Sequence, residues 1–409
     1  MSIVDVAVVG GGPAGSAAAS VLASQGLRVI VLDRAQTRKP CGGYLPVKAL
    51  RRMPKMAVSD LLVMPVRTVR LVGQHRRTIS VGAGETLGYV LRRQQLDHRL
   101  LDLAEQAGAT VWRSTRVLGH ERFGNSTRIQ SDRGSLHARY LIAADGVHGR
   151  TAVAAGVRRP FPRWQLAFAR VAELRWKGQP ADFPLDQIQL LCQPILGGFG
   201  WVFPLPDGAN VGVAGSSFDL DRVQRQFAAL LAQLGATVSG FDLIWNHGWW
   251  LPAGGLPRRL TAARTFLVGD AAGFVDCFSG EGIYYAVASG QLAAHAITHS
   301  FSDPEQAERH YRRDCAALLQ PTLRRSLLLS GLIGRGKDRY FRALHRQPRL
   351  AMHLLDMMRE EQPYHGCTLP LLIAQMAAHF TGIHMPDDLQ VLGANQWDEP
   401  AQPRTDGSV

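Results

Sequence analysis

The feature that most constrains this chain is Gly10-Gly11-Gly12-Pro13-Ala14-Gly15. It directly follows the Val-rich run Val4–Val9 and opens an Ala- and Ser-rich stretch, Ala14–Gln25. A short apolar run passing through spaced glycines into a helix is the start of a βαβ unit. Gly26 stands where a glycine ends a helix, and Arg28–Leu32 reads as the second strand, closed by Asp33, 21 residues after Gly12. Each position has a physical task. Gly10 permits the tight turn, Gly12 lets the backbone approach a pyrophosphate, and Gly15 lets helix and strand pack closely. The helix N-terminus, with Pro13 and Ala14 in its first turn, offers free N–H groups and a partial positive charge to phosphates, and Asp33 offers a carboxylate to a ribose. The pattern therefore predicts an α/β dinucleotide-binding unit.

The chain is long enough to carry more than this unit. It has 409 residues, 46% of them hydrophobic, which is enough for a sizeable core and too apolar for a disordered chain. Its five cysteines are far apart and include no Cys-x-x-Cys pair, which argues against a disulfide framework and a structural zinc. No run approaches 18 consecutive apolar residues, and the N-terminus enters a strand without a basic leader. A cytoplasmic protein is expected. The fourteen His are scattered, and no metal site is expected.

Further along, Leu96, Leu100, Leu103 and Ala107 share one helical face that Gly108 closes, and Tyr140–Ala144 reads as a buried strand. From about Arg163 to Ser217 the segments become short and extended, with Asp207-Gly208 marking a hairpin. Thr261–Asp270 returns to an apolar strand, Ile283–Ser300 is helical, and the pattern from Glu305 onward is helical and basic. The expected fold is mixed α/β and α+β. A Rossmann-type nucleotide domain (1–60, 85–160 and 258–300) interleaves with an antiparallel β-sheet substrate layer (61–84 and 161–257). A helical C-terminal region (301–392) and a flexible tail (393–409) follow.

Two later motifs choose the nucleotide. Asp145-Gly146 follows the strand Tyr140–Ala144, and Gly269-Asp270 follows Phe266–Val268. A Gly-rich loop, then Asp-Gly, then Gly-Asp, in that order, resembles the FAD-dependent family of aromatic hydroxylases, flavin halogenases and geranylgeranyl reductases, over about residues 1–300. The resemblance implies that Asp270 hydrogen-bonds the FAD ribityl chain and that Asp145 and Gly146 lie near the pyrophosphate. It also implies that Arg93, ahead of Leu96-Asp97, and the pair Asp33-Arg34 reach the cofactor. Gly149 departs from the serine that many relatives carry after Asp-Gly.

Within that superfamily, Pro40-Cys41-Gly42-Gly43-Tyr44 and Ser279-Gly280-Glu281-Gly282-Ile283-Tyr284-Tyr285 look like the geranylgeranyl reductase branch. Trp201-Val202-Phe203-Pro204 resembles that branch's Tyr-x-Trp-x-Phe-Pro motif, with Phe199 in place of the tyrosine. Gly42, Gly280, Gly282 and Ile283 are then expected beside the flavin, where a helix N-terminus favours the anionic reduced ring. Trp201 and Phe203 form an apolar wall suited to a hydrocarbon substrate. Reducing a C=C bond needs a hydride on one carbon and a proton on the other. Cys41 is the candidate proton donor, because a thiol of unperturbed pKa about 8.5 can act as an acid near neutral pH. Its other reading is a small buried hydrophobe.

The resemblance leaves other chemistries open. An oxygen-using hydroxylase or epoxidase depends on pocket shape. A halogenase needs a lysine above the flavin, and none lies between Lys55 and Lys177. A non-enzymatic flavin-binding membrane protein is the remaining class. Only one Gly-x-Gly-x-x-Gly unit is present, so the electron donor is expected to be transiently bound NAD(P)H or a small electron-transfer protein.

The net charge of +13 suggests nucleic acid at first, but no nucleic-acid motif accompanies it. Between Arg309 and Arg349 eleven basic residues face two acidic ones, interleaved with Leu323, Leu327, Leu328, Leu329, Leu332 and Ile333. The expected partners are an isoprenoid or similar lipid substrate and, through 309–349, an anionic membrane surface.

Overall fold

A computed structural model describes residues 3–34, 39–54, 58–62, 64–73, 77–178, 184–192, 194–238, 240–254 and 258–334. Beyond these it describes 341–342, 344, 355–356, 358–360, 364 and 388–391. The tail 393–409 and the arginines at 335, 339, 346 and 349 lie outside the described residues.

The apolar N-terminal run forms the strand Ile3–Val9 at the centre of an eight-stranded sheet. It pairs in parallel with Val29–Asp33 on one side and Gly134–Ala143 on the other. Thr110–Arg113 and Thr265–Leu267 extend the parallel run outward. The helix Pro13–Ser24 starts at Gly12 and packs against Ile283–His299, where Gly290 admits the Ala14 carbonyl so closely that a Cβ would collide with it. Val6, Val8, Ala18, Leu22, Tyr284 and Tyr285 lie fully inside this core. The apolar stretch expected over Thr261–Asp270 is two short strands, because Ala263 and Arg264 turn the chain with φ of 49° and 68°.

A second eight-stranded sheet runs in the order Phe241–Pro252, Leu166–Trp176, Gly208–Ser216, Phe199–Leu205, Gln187–Leu191, Thr68–Val72, Thr78–Gly82 and Asp388–Val391. It is antiparallel apart from two joins, Gln187–Leu191 with Thr68–Val72 and Asp388–Val391 with Thr78–Gly82. Two corrections follow. Asp388–Val391 is a sheet edge, where a helical region was expected. Met64–Val66 pairs with Gly88–Val90 in a small third sheet instead of joining the large one. The helix Leu220–Thr237, unforeseen inside the sheet layer, buries Val223, Phe227, Leu230 and Leu234 against it. Those four positions recur at helical spacing, so the signal was present.

The C-terminal helices also revise the reading of the Arg/Leu segment. In Gln320–Gly334, Leu323, Leu329 and Ile333 are buried, and only Leu328 is strongly exposed among the described leucines of that helix. Arg309 pairs with Asp303 and Glu305, and Arg313 with Asp314. The leucines interleaved with arginine are mainly a core stripe under a solvated basic face.

Candidate active site

Between the two large sheets lies one cavity of about 1310 Å³. All but two of the candidate catalytic and cofactor residues named from the sequence line it; the exceptions are Gly15 and Gly269. Gly15 packs behind the loop, where a Cβ would collide with the Gly10 carbonyl. Gly269 has a φ of +53° and donates its N–H to Ser289 Oγ at 2.9 Å.

At the first end the backbone shapes the wall. Gly10 (φ +104°) lies against the Ala144 carbonyl, while a Cβ on Gly12 would meet nothing within 4 Å. Asp33 Oδ1 accepts the Gly11 N–H at 3.0 Å, which fixes the loop and leaves one carboxylate oxygen for a ligand. Arg34 stands exposed beside it. Asp145 Oδ2 accepts the Thr151 N–H at 3.0 Å. Its carboxylate occupies the space that a Cβ on residue 149 would need, which explains Gly149. Asp145 Oδ1, His120 Nε2 and Trp249 Nε1 are buried without hydrogen-bond partners among the described residues, and all three residues line the cavity. Orphaned polar atoms around an open, Gly-rich cradle fit a bound dinucleotide.

The middle of the cavity joins distant segments. Asp270, expected to meet the ribityl chain, also pairs with Lys39 at 3.0 Å, and its Oδ1 faces the position of Gly282. Gly282 begins the helix Ile283–His299, so the N-terminus of that helix meets the cavity. Gly280 (φ +73°) and Glu281 lie just ahead of it. Asp276 holds this loop, accepting from the N–H groups of Phe278 and Ser279 and from the hydroxyls of Tyr285 and Tyr364. Lys48 is buried and pairs with Glu281 at 2.7 Å beneath the rings of Tyr284 and Tyr285. Burial raises the Glu281 carboxyl above its usual range, despite the opposing pull of Lys48.

Cys41 stands at the junction. Its sulfur accepts from the Gly43 N–H at 3.4 Å and from Arg93 Nη1 at 3.7 Å. Both contacts use sulfur lone pairs. Arg93 is buried. Burial alone would lower its pKa, but Asp97 at 2.6 Å and Cys41 outweigh it and hold the guanidinium above its ordinary value. Asn210 went unnoticed in the sequence. It donates to the Cys41 carbonyl at 2.9 Å and accepts from Trp201 Nε1 at 3.0 Å.

At the far end side chains shape the wall. Phe199, Trp201 and Phe203 alternate along one strand and form a ladder with centroids 6.1 Å apart, which Tyr44 extends past Phe203. Phe199 keeps its place in the ladder although it lacks a hydroxyl. Gly42 is needed here, because a Cβ would lie 2.8 Å from the Phe203 ring. Leu71, Ile188, Leu190 and Ile333 complete an apolar pocket. Among the described residues no group of three or more His, Cys, Asp or Glu could hold a metal, and no helix is long and apolar enough to cross a membrane.

Residues 3–177 match the family described as FAD binding domain. The chain is 30% identical over 316 residues to the chloroplastic geranylgeranyl diphosphate reductase of Nicotiana tabacum, covering 71% of this chain and 65% of that protein. It is 31% identical to the digeranylgeranylglycerophospholipid reductase of Thermoplasma volcanium, covering 72% of this chain and 78% of that one. In three dimensions it resembles a geranylgeranyl bacteriochlorophyll reductase-like protein from Thermoplasma acidophilum, with a TM-score of 0.73 and 24% identity over 82% of this chain and 88% of that one.

Proposed function

This chain belongs to the geranylgeranyl reductase family of FAD-dependent oxidoreductases, and on that footing we propose that it reduces carbon–carbon double bonds of an isoprenoid lipid. The observation that carries the reading is the cavity's continuity. A Gly-rich cradle and an apolar aromatic pocket share one space, with Cys41 between them.

Bound FAD, once reduced, supplies hydride chemistry in this site. Gly10, Gly12, Pro13 and Ala14 would cradle its pyrophosphate, with Asp33 and Arg34 toward the adenosine end and Asp145, Gly146 and Asp270 along the chain to the ring. The N-terminus of the helix Ile283–His299 would supply partial positive charge to a reduced ring, which gains negative charge. Trp201, Phe203 and Tyr44 exclude water and hold the hydrocarbon flat. Cys41 gives its thiol proton to the carbon that does not receive hydride, and Arg93 Nη1 and the Gly43 N–H hold the sulfur in place. Electrons arrive from NAD(P)H or a small electron-transfer protein bound in passing.

The halogenase reading loses ground on the lysines. Lys48 is buried in its pair with Glu281, and Lys39 is committed to Asp270. The test is anaerobic incubation of the FAD-loaded protein with a chemical reductant and geranylgeranyl diphosphate or a polyprenyl glycerolipid. Each reduced double bond adds two hydrogens, read as a mass gain of 2 Da. Cys41→Ala should lower the rate of that gain about a hundredfold while flavin content is unchanged. Product formed only with oxygen would favour a hydroxylase and overturn the reading.

A further inference from the structure

We propose that the loop Arg158–Trp164, with Phe218 and Leu196, docks this protein onto an anionic lipid bilayer. The loop reads Arg-Arg-Pro-Phe-Pro-Arg-Trp, rich in cations and rings and free of acids. Trp164 is 61% exposed, Phe218 60% and Leu196 41%, so three large apolar side chains face water on one side of the molecule.

Hydrogen bonds assemble these side chains into one patch. Arg163 donates from Nε and Nη2 to the Ser217 carbonyl at 3.3 and 3.1 Å, and Ser217 Oγ donates back to the Arg163 carbonyl at 2.6 Å. The Arg163 guanidinium lies 5.3 Å from the Phe218 ring centre. The Ser216 N–H donates to the Leu196 carbonyl at 2.9 Å, which joins the loop before Gly197 to the same site. Arg158 and Arg258 flank the Phe161 ring at 3.9 and 5.0 Å. Two acids follow Phe218: Asp219 is spent on the Leu196 N–H at 3.0 Å and on Arg222 at 3.6 Å, and Asp221 stands exposed on the next helix turn.

A bilayer fits this chemistry. Exposed Trp and Phe rings partition to the boundary between head groups and acyl chains, and arginine stems lie along that boundary while their guanidinium groups meet phosphates. Pro160 and Pro162 restrict the loop before docking, which lowers the ordering cost of seating it. The patch also borders the site, because Gly197 and Gly198, which follow Leu196, line the cavity. Delivery of a lipid from the bilayer to that cavity rests on the function proposed above. The docking itself does not.

Vesicle flotation of the FAD-loaded full chain tests the surface, with phosphatidylcholine vesicles compared with vesicles that also contain phosphatidylglycerol. The expected result is binding to the anionic vesicles alone, weakened by salt. Arg159→Glu should reduce the affinity at least about fivefold, and Trp164→Glu at least about tenfold. Leu328→Glu, on the exposed side of the helix Gln320–Gly334, should leave it unchanged. No vesicle binding, equal binding to uncharged vesicles, or binding that survives Trp164→Glu overturns the proposal, as does retention on an acidic protein without any on lipid. A protein that docks but produces no mass gain keeps this inference and refutes the reductase reading. Mass gain on detergent-dispersed substrate without docking does the reverse.

Discussion

The two ends of the cavity are built by opposite means. At the nucleotide end the wall is main chain. Gly10 and Gly15 are small because carbonyl oxygens stand where a Cβ would be, and Gly12 is bare because the cavity lies in front of it. At the aromatic end, proposed above for the substrate, the wall is side chain, a ladder of rings fixed by one buried amide. A main-chain wall tolerates almost no added atom. A side-chain wall can be reshaped one ring at a time, so the same nucleotide site can serve different substrates. Mutations at the two ends should therefore fail differently.

Gly15→Val should cause the largest effect. Its side chain would have to displace the Gly10 carbonyl and the loop with it, so the protein should purify without bound flavin, read as loss of the absorbance near 450 nm, or fail to fold. If Gly15→Val keeps its flavin, the main-chain reading of this end is wrong. The junction comes next. Lys48→Met leaves the Glu281 carboxylate buried without its cation and should cost about 3–5 kcal/mol in denaturant unfolding. Lys48→Met/Glu281→Leu should recover most of that loss. The pH dependence has a definite sign. Glu281 titrates above its usual range in the fold, so its contribution to stability is greatest in acid and is lost as pH rises through the raised value. Removing Lys48 takes away a lowering influence and should move that loss to higher pH.

The same contrast explains what could be read from the sequence. Gly10, Gly12, Asp33, Asp145 and Asp270 lie at or just past the ends of parallel strands and Gly15 in the first turn of the helix that follows, where local pattern dictates backbone position, and all of them stand at or directly behind the cradle. Gly149 looked like a departure because its reason, the Asp145 carboxylate, depends on how the loop folds back. Lys39, Lys48 and Asn210 were not legible as site residues, since their partners lie 231, 233 and 169 positions away. The strand Asp388–Val391 was missed for the same reason: its partner is Thr78–Gly82. Composition also left a choice open. The described leucines of the Arg/Leu segment mostly fill the core, whereas exposed Trp164 stands in a seven-residue, arginine-rich loop that no periodicity marks.

Asn210 gives the finer test of the side-chain end. It is 6% exposed and spans two elements, holding Trp201 through its carbonyl and the main chain of Cys41 through its amide. Asn210→Leu keeps the branched shape and removes both bonds, leaving a buried indole N–H and a carbonyl without partners. The expected cost is about 2 kcal/mol of stability, measured by denaturant unfolding. The rate of substrate reduction should also fall about tenfold, because the thiol and the ring wall lose their shared anchor. Flavin content should stay at the wild-type level, since Asn210 touches none of the main chain at the nucleotide end. Asn210→Asp separates support from packing. Its carboxylate still accepts from Trp201 but cannot donate to Cys41, so the indole stays anchored while Cys41 is freed. Equal rates in Asn210→Asp and wild type would show that Cys41 needs no anchor. Loss of flavin in either variant would mean that the two ends of the cavity are not independent.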